Sequence, residues 1–436
     1  MPASNDIAAG AESPEHIVLA KAARRLIPFL ALLYFVSFLD RVNVGFAALT
    51  MNRDIGLSAS AYGFGAGVFF IGYFLFEVPS NLILRRVGAR RWIARIMISW
   101  GIVSSLTAFV DGPSAFWIVR FLLGIAEAGF FPGIVFYLTN WFPAPVRGRA
   151  LAGFLIAVPI SSALGAPLST VLMQLSLFDL AGWRSMFLLE GLPAVVLGCA
   201  VLAWLPDGPQ DARFLTDAER RTLTELLARD ADGTPAVHAS LRAGLLSTAV
   251  WRYALIYFGL VAGLYGFGFW APQMIAALGT LDTVQVGLVT MAPFALAALA
   301  MHLWGARSDA HPGHRARHVA LPAFLAGVGF LASALLAPNA VPTLIAFTIA
   351  AIGIYAALPV FWTLPTAMLT GTAAAGGIAL INSLGNLGGY AGPFAVGWLR
   401  ERSGDYASGM LALGGALLLS GLLALRTNAN PRAPRD

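Results

Sequence analysis

Twelve apolar stretches, each about long enough to cross a hydrocarbon core, follow one another along this chain with only polar or basic breaks between them. One transmembrane helix takes roughly 20 apolar residues. The stretches run roughly 26–51, 62–84, 92–110, 115–138, 149–173 and 185–205, and a polar interval from Pro206 to Thr248 follows. Six more run roughly 250–278, 284–304, 319–337, 342–368, 374–399 and 407–425. Only 11% of the 436 residues are charged, whereas an ordinary soluble domain carries about 25%. Such a chain cannot clothe a globular surface in charge. The pattern predicts an all-α membrane protein with twelve transmembrane helices in two six-helix halves. It excludes a disordered, collagen-like or disulfide-stapled protein.

The predicted organisation is a cytoplasmic tail over 1–25, a first half over 26–205, a cytoplasmic central loop over 206–249, a second half over 250–425 and a tail over 426–436. The first apolar run is too long for a signal-peptide core and lacks a small-residue cleavage site, so it reads as a retained helix. Cys199, the single cysteine, lies in an apolar run and is expected to be a small buried hydrophobe.

The net charge of +6 is a topology signal rather than a sign of nucleic acid. With the N-terminus inside, fifteen Lys and Arg residues fall on the inner segments, among them Lys21, Arg85, Arg86, Arg90, Arg91, Arg147 and Arg307. Four fall outside: Arg53, Arg184, Arg400 and Arg402. Both termini are therefore expected in the cytoplasm. In the central loop, Thr216 and Glu219 have the spacing of a capping box and predict a short surface helix to about Arg229, linking and bracing the halves.

Ionisable groups inside spans are costly, at about 2.5 to 3.5 kcal/mol for Asp, Lys or Arg at a helix centre, and usually functional. The spans hold Asp40, Glu77, Glu127, Glu190, Arg41, Arg95 and Arg120. Arg120, Gly124 and Glu127 share one helix face, so an anion could sit by Arg120 while Glu127 holds or releases a proton. Asp40 and Arg41 point about 100° apart; one can reach a cavity and the other a neighbouring helix. Glu77, near the cytoplasmic end of its span, reads as gating or bracing, and Glu190 and Arg95 read as structural.

In the second half, Trp362 and Thr363 lie between Pro359 and Pro365, in a span the prolines are expected to break, which favours a cavity lining. Asn382, Gly385, Asn386 and Gly389 form one face of the eleventh span, with Asn382 the better candidate for substrate hydroxyls or carboxylate and Asn386 for a helix–helix contact. Tyr257, Tyr265 and Trp270 read mainly as packing. His311, His314 and His318 sit in a basic loop and do not make a metal site, and no cofactor or enzyme motif stands out.

Several strings carry a family resemblance. Gly305-Ala-Arg-Ser-Asp309 fits the cytoplasmic loop signature of the major facilitator superfamily; the first-half copy keeps Gly88, Arg90 and Arg91 but has Arg85 in place of the usual Asp. Phe38-Leu-Asp-Arg-Val-Asn-Val-Gly-Phe-Ala-Ala48, Glu77-Val-Pro-Ser-Asn81, the run Arg120 to Gly133, and Asn382-Ser-Leu-Gly-Asn-Leu-Gly-Gly389 resemble its anion:cation symporter branch, above all bacterial tartrate and sugar-acid carriers. The resemblance spans about residues 20 to 425.

It implies proton coupling at Asp40 and Glu127, a substrate carboxylate at Arg41 and a cavity hydroxyl from Tyr73. Arg120, Trp362, Thr363 and Asn382 complete the expected substrate site. Gly88, Arg90, Arg91, Gly305 and Asp309, with Glu77 and Asn386, are expected to gate or brace. The expected function is proton-coupled symport of a small organic anion across a bacterial inner membrane by a monomer. The alternatives are anion exchange or export, or a transporter-like sensor.

Overall fold

The computed structural model describes residues 13–232, 247–337, 339–368 and 371–427, and among these no strand occurs. The expected tails and central loop lie in part outside the described residues. The first helices are α1 (Pro14–Asp54), α2 (Ala59–Val87), α3 (Ala89–Leu106), α4 (Pro113–Glu127), α5 (Phe130–Thr139), α6 (Ala144–Leu155), α7 (Ala157–Leu172) and α8 (Gly182–Trp204). A short helix, α9 (Asp217–Asp232), follows in the central loop. The remainder are α10 (Thr248–Ala276), α11 (Thr283–Ala310), α12 (Arg315–Leu336), α13 (Ala340–Met368), α14 (Gly371–Asn386), α15 (Gly388–Ser403) and α16 (Ala407–Leu425). Eleven segments of the described residues are long and apolar enough to cross a membrane. The protein is an all-α, multi-pass bundle.

The helix breaks differ from those the sequence suggests. Helix α13 runs unbroken through Pro359 and Pro365, as membrane helices can when neighbours and local adjustment satisfy the freed backbone groups. The fourth apolar stretch breaks instead at Ala128–Gly129, where Gly129 takes φ +88°, a conformation that only glycine adopts freely. Its turn is held by Ser80 Oγ, which donates to Ala128 O at 2.7 Å and accepts from Trp92 Nε1 at 2.9 Å. The eleventh stretch divides at Leu387 between α14 and α15, so the expected face from Asn382 to Gly389 is not one continuous helix. Helix α1 starts at Pro14, capped by Ser13, well inside the stretch expected as a tail.

Helix α2 packs on α4 and α15, α3 on α8, α7 on α1 and α11, α12 on α13 and α16, and α10 on α14, α15 and α16. Glycines set the closest approaches. A methyl group at Gly124 would overlap Phe69 O, so α4 and α2 meet backbone to backbone. At one end of the bundle, Glu401 at the end of α15 accepts from Ser58 Oγ at 2.9 Å and Ser60 N at 2.8 Å, closing α15 against the start of α2.

The central-loop helix forms as its capping box predicts. Thr216 N donates to Glu219 Oε2 at 2.7 Å and Glu219 N to Thr216 Oγ1 at 3.3 Å. Leu223 is buried beneath it. Its ion pairs run to α1 and α6: Glu219 with Lys21, Arg229 with Glu15 and Asp230 with Arg147. All three partners lie before residue 205, so these contacts seat α9 on the first group of helices. Cys199, expected to be buried, is exposed on α8; on a helix that meets lipid, an apolar position can face outward as readily as inward.

Candidate functional site

Among the described residues, a buried ion pair joins α1 to α4. Helix α1 carries Asp40 and Arg41 on different sides, as one helical step of 100° dictates. Arg41 reaches α4, where its Nη2 pairs with Glu127 Oε1, and it also reaches α10, where its Nη1 donates to Tyr265 Oη at 2.9 Å. Ser37, one turn back along α1, donates to the same carboxylate oxygen at 2.9 Å. Phe38, Phe69 and Tyr73 surround the guanidinium at 5.3–5.8 Å from its carbon to their ring centres.

Glu127 is the last residue of α4, directly before the break at Ala128–Gly129. The pair is therefore formed where the backbone leaves the helix. The burial of both partners makes it strong in geometry but not a source of net stability by itself, because removing two charges from water offsets their attraction.

Arg120 is buried, as Arg41 is, and lies against the same Phe69 ring, but it differs in its polar partners. It is 0% exposed and pairs with no carboxylate among the described residues. Its Nε and Nη1 have no hydrogen-bond partner, and Nη2 makes one long contact to Ala66 O at 3.4 Å. Phe69 and Phe269 flank it at 5.3 and 5.9 Å. Two nitrogens of a fully buried guanidinium are thus left without a partner among the described residues, an arrangement that is costly unless something pairs with the charge.

Asp40 turns away from both arginines. Its carboxylate accepts from Trp100 Nε1 at 2.5 Å, from Ser104 Oγ, and from Asn43 Nδ2 at 3.2 Å. These partners lie on α3 and on α1 itself, so Asp40 sits inside the first group of helices. Tyr73 is buried beside Phe69 and under the Arg41 guanidinium.

In the later helices, Trp362 stacks edge-on to Tyr257 at 4.9 Å, and Thr363 Oγ1 donates to Val360 O of its own helix at 2.7 Å. Asn382 Nδ2 donates to Glu77 Oε1 at 2.9 Å, joining α14 to α2. Glu77 Oε2 is buried without a partner. Asn386 is half-buried at the end of α14, beside Gly385, whose position is closed by the Tyr257 ring.

The loop-signature residues behave unevenly. Gly88 takes φ +95° between α2 and α3. Arg90 finds a carboxylate from a distant part of the chain: Asp207 Oδ2 lies 3.4 Å from Arg90 Nε, and Asp207 Oδ1 accepts from Arg90 N at 3.1 Å. Arg91 is exposed. In the second copy, Gly305 stands in open space and Asp309 is exposed, with no ion pair among the described residues. The charge contact thus forms at the copy that lacks the signature Asp, because Asp207 in the central loop folds back over the α3 start. His311, His314 and His318 gather no acidic or cysteine partner into a metal-binding group among the described residues.

Tyr265, which the sequence groups with Tyr257 and Trp270 as mainly packing, has its hydroxyl on Arg41, a partner that only the fold shows.

An all-helical membrane bundle with buried, partly uncompensated charge at its helix junctions defines a multi-pass carrier of small solutes. The profile of the Major Facilitator Superfamily matches residues 30–393, and the chain belongs to that superfamily, whose members are carriers and not enzymes. An Agrobacterium vitis protein named "Putative tartrate transporter" is 50% identical over 418 residues, covering 95% of this chain and 92% of its own. The inner membrane transport protein RhmT of Escherichia coli is 39% identical over 415 residues, covering 95% of this chain and 96% of its own. Among solved structures, the inward-open xylose transporter XylE of E. coli superposes with a TM-score of 0.75 at 15% identity, over 93% of this chain and 96% of that one. The protein is a multi-pass secondary transporter of this superfamily.

Proposed function

We propose that this protein carries a small hydroxylated organic anion, tartrate or a sugar acid, into the cytoplasm together with protons. The observation that carries the reading is Arg120, fully buried with its Nε and Nη1 nitrogens unpartnered. A neutral or cationic cargo would leave that charge uncompensated; a carboxylate would satisfy it with a charge-assisted pair. The half-identical relative has tartrate in its name, which points to the same class.

Glu127 supplies the coupling. While it is ionised, Arg41 is neutralised and Arg120 alone is available. A proton on Glu127 dissolves the pair, and Arg41 becomes the second cation for a second carboxylate. One proton thus fits the site to a diacid. Tyr73 and Tyr265 line the Arg41 end and can read hydroxyl groups.

The arrangement behind this reading is twelve spans in two six-helix halves, α1–α8 and α10–α16, with both termini in the cytoplasm. The contacts support it by recurring: α3 on α8 answers to α12 on α16, and α2 on α4 to α11 on α13. Across the middle, α2 meets α15, α7 meets α11 and α1 meets α10. On this topology the Ser58–Glu401 contact closes the periplasmic side, and the Glu77–Asn382 contact lies on the cytoplasmic path.

Thermal unfolding of the purified protein against a panel of organic acids tests the anion site. A ligand at 100 times its Kd stabilises by about 2.7 kcal/mol. Hydroxylated dicarboxylates should raise the midpoint in wild type and not in Arg120→Gln. Equal stabilisation of the variant, or stabilisation by neutral sugars alone, would overturn the reading.

A further inference from the structure

A pair of acids lies among α1, α3, α7 and α8, apart from Arg41 and Glu127. Asn43 Nδ2 donates both to Asp40 Oδ1 at 3.2 Å and to Glu190 Oε2 of α8 at 2.8 Å. Glu190 Oε1 accepts in turn from Ser169 Oγ of α7 at 2.7 Å. Asp40 is 2% exposed and Glu190 1%, and Asn43, Trp100, Ser104 and Ser169 are equally enclosed.

Every hydrogen-bond donor on this pair is neutral. Helix α3 brings Trp100 and Ser104, α7 brings Ser169, and α1 brings Asn43. Among the described residues neither Asp40 nor Glu190 forms an ion pair, and their hydrogen-bond partners are these neutral side chains alone. Arg41, next to Asp40 in the chain, is taken up by Glu127.

Two carboxylates bridged by one amide in a dry interior do not both ionise readily; such pairs hold a proton in common and titrate as a unit. The bridge itself suits that state. Asn43 Oδ1 is buried without a donor. In the orientation seen, Asn43 Nδ2 donates to both carboxyl groups, serving the ionised acid and the carbonyl oxygen of the protonated one.

We propose that Asp40 and Glu190 hold one proton between them across Asn43, and that Glu190 sets the proton affinity of Asp40. The proton comes from water, changing the charge of the pair from −2 to −1, and no bond to carbon changes. Glu190 is thereby a positioning residue for proton binding, where the sequence alone marks it as structural. Its part in transport rests on the proton-coupled reading above; the shared proton does not.

The test is a pH titration of the purified full-length protein by infrared difference spectroscopy, following the C=O stretch of protonated carboxyl groups. A titrating band should disappear in Asp40→Asn. In Glu190→Gln the like charge is gone, and the midpoint should fall by about one pH unit or more. In Ser169→Ala a donor to the ionised form is gone, and the midpoint should rise. A role in bracing alone would lower protein yield and leave both midpoints in place. Unmoved midpoints, or no band lost in Asp40→Asn, would overturn the proposal. Should Glu190→Gln fail to fold, Ser169→Ala and Asp40→Asn decide it. An intact titration in a protein that shows no proton-driven uptake would overturn the transport reading and leave the shared proton standing.

Discussion

Arg41 of α1 is shared between Glu127 of α4, with which it pairs, and Tyr265 of α10, whose hydroxyl accepts from it at 2.9 Å. One guanidinium therefore ties the last residue of α4 to a helix from the other side of the central loop. Protonating Glu127 releases one of these two ties and leaves the other. The buried ion pair and the contact between the helix groups are thus linked through the same side chain.

The Glu77–Asn382 hydrogen bond is a second tie, from α2 to α14. Interhelical hydrogen bonds in membranes contribute about 0.6 to 1.7 kcal/mol, roughly a three- to twentyfold change in a two-state ratio. Asn382→Leu should shift the halves toward opening on the cytoplasmic side by that factor. In a Cys199→Ser background, needed because Cys199 is exposed, a cysteine at position 386 should react faster with a maleimide applied to inside-out vesicles.

Gly124 lies where α4 rests on the α2 backbone, and a methyl group there would overlap Phe69 O. Backbone cannot swing aside as a side chain can. Gly124→Ala should destabilise the protein by about 1 to 3 kcal/mol, the usual range for overpacking. Part of that displacement should reach Arg120 and Glu127, one turn to either side. The check is thermal unfolding together with anion-induced stabilisation, both of which should fall.

The docking of α9 should depend on pH. Lys21 Nζ donates to both oxygens of Glu219, at 2.9 and 2.8 Å. That contact first, and the Thr216 N–H second, hold the Glu219 carboxyl below its ordinary value of 4.5. A lowered carboxyl contributes stability that is complete above its unfolded value and fades as pH falls through the lower folded one. Glu219→Gln should therefore speed amide exchange in α9 at neutral pH, and acidifying wild type below the carboxylate range should reproduce the effect after correction for intrinsic rates.

The sequence makes the spans legible because apolar length is a local property, and so is the capping box at Thr216 and Glu219. It also separates Asp40 from Arg41, since adjacent helical residues cannot share a face. It does not show where each one ends. Trp100, Ser104 and Glu127 come to them from other helices across the bundle, and such partners leave no local trace. For the same reason nothing in the sequence sets Asp207 beside Arg90, or Tyr265 beside Arg41. The breaks are the least legible feature. Pro359 and Pro365 suggest one that neighbouring helices absorb, while the break at Gly129 depends on a glycine conformation and on Ser80 from another helix.

The central claim is that a proton on Glu127 frees Arg41 for the anion. It is tested most directly by uptake into proteoliposomes of the acid that the thermal panel selects, driven by a pH gradient alone, for wild type and Glu127→Gln. The substituted amide is neutral like the protonated acid, so the variant should exchange labelled for unlabelled substrate across the membrane yet fail to accumulate it under the gradient. Accumulation by Glu127→Gln against a concentration gradient, driven by pH alone, would contradict the account.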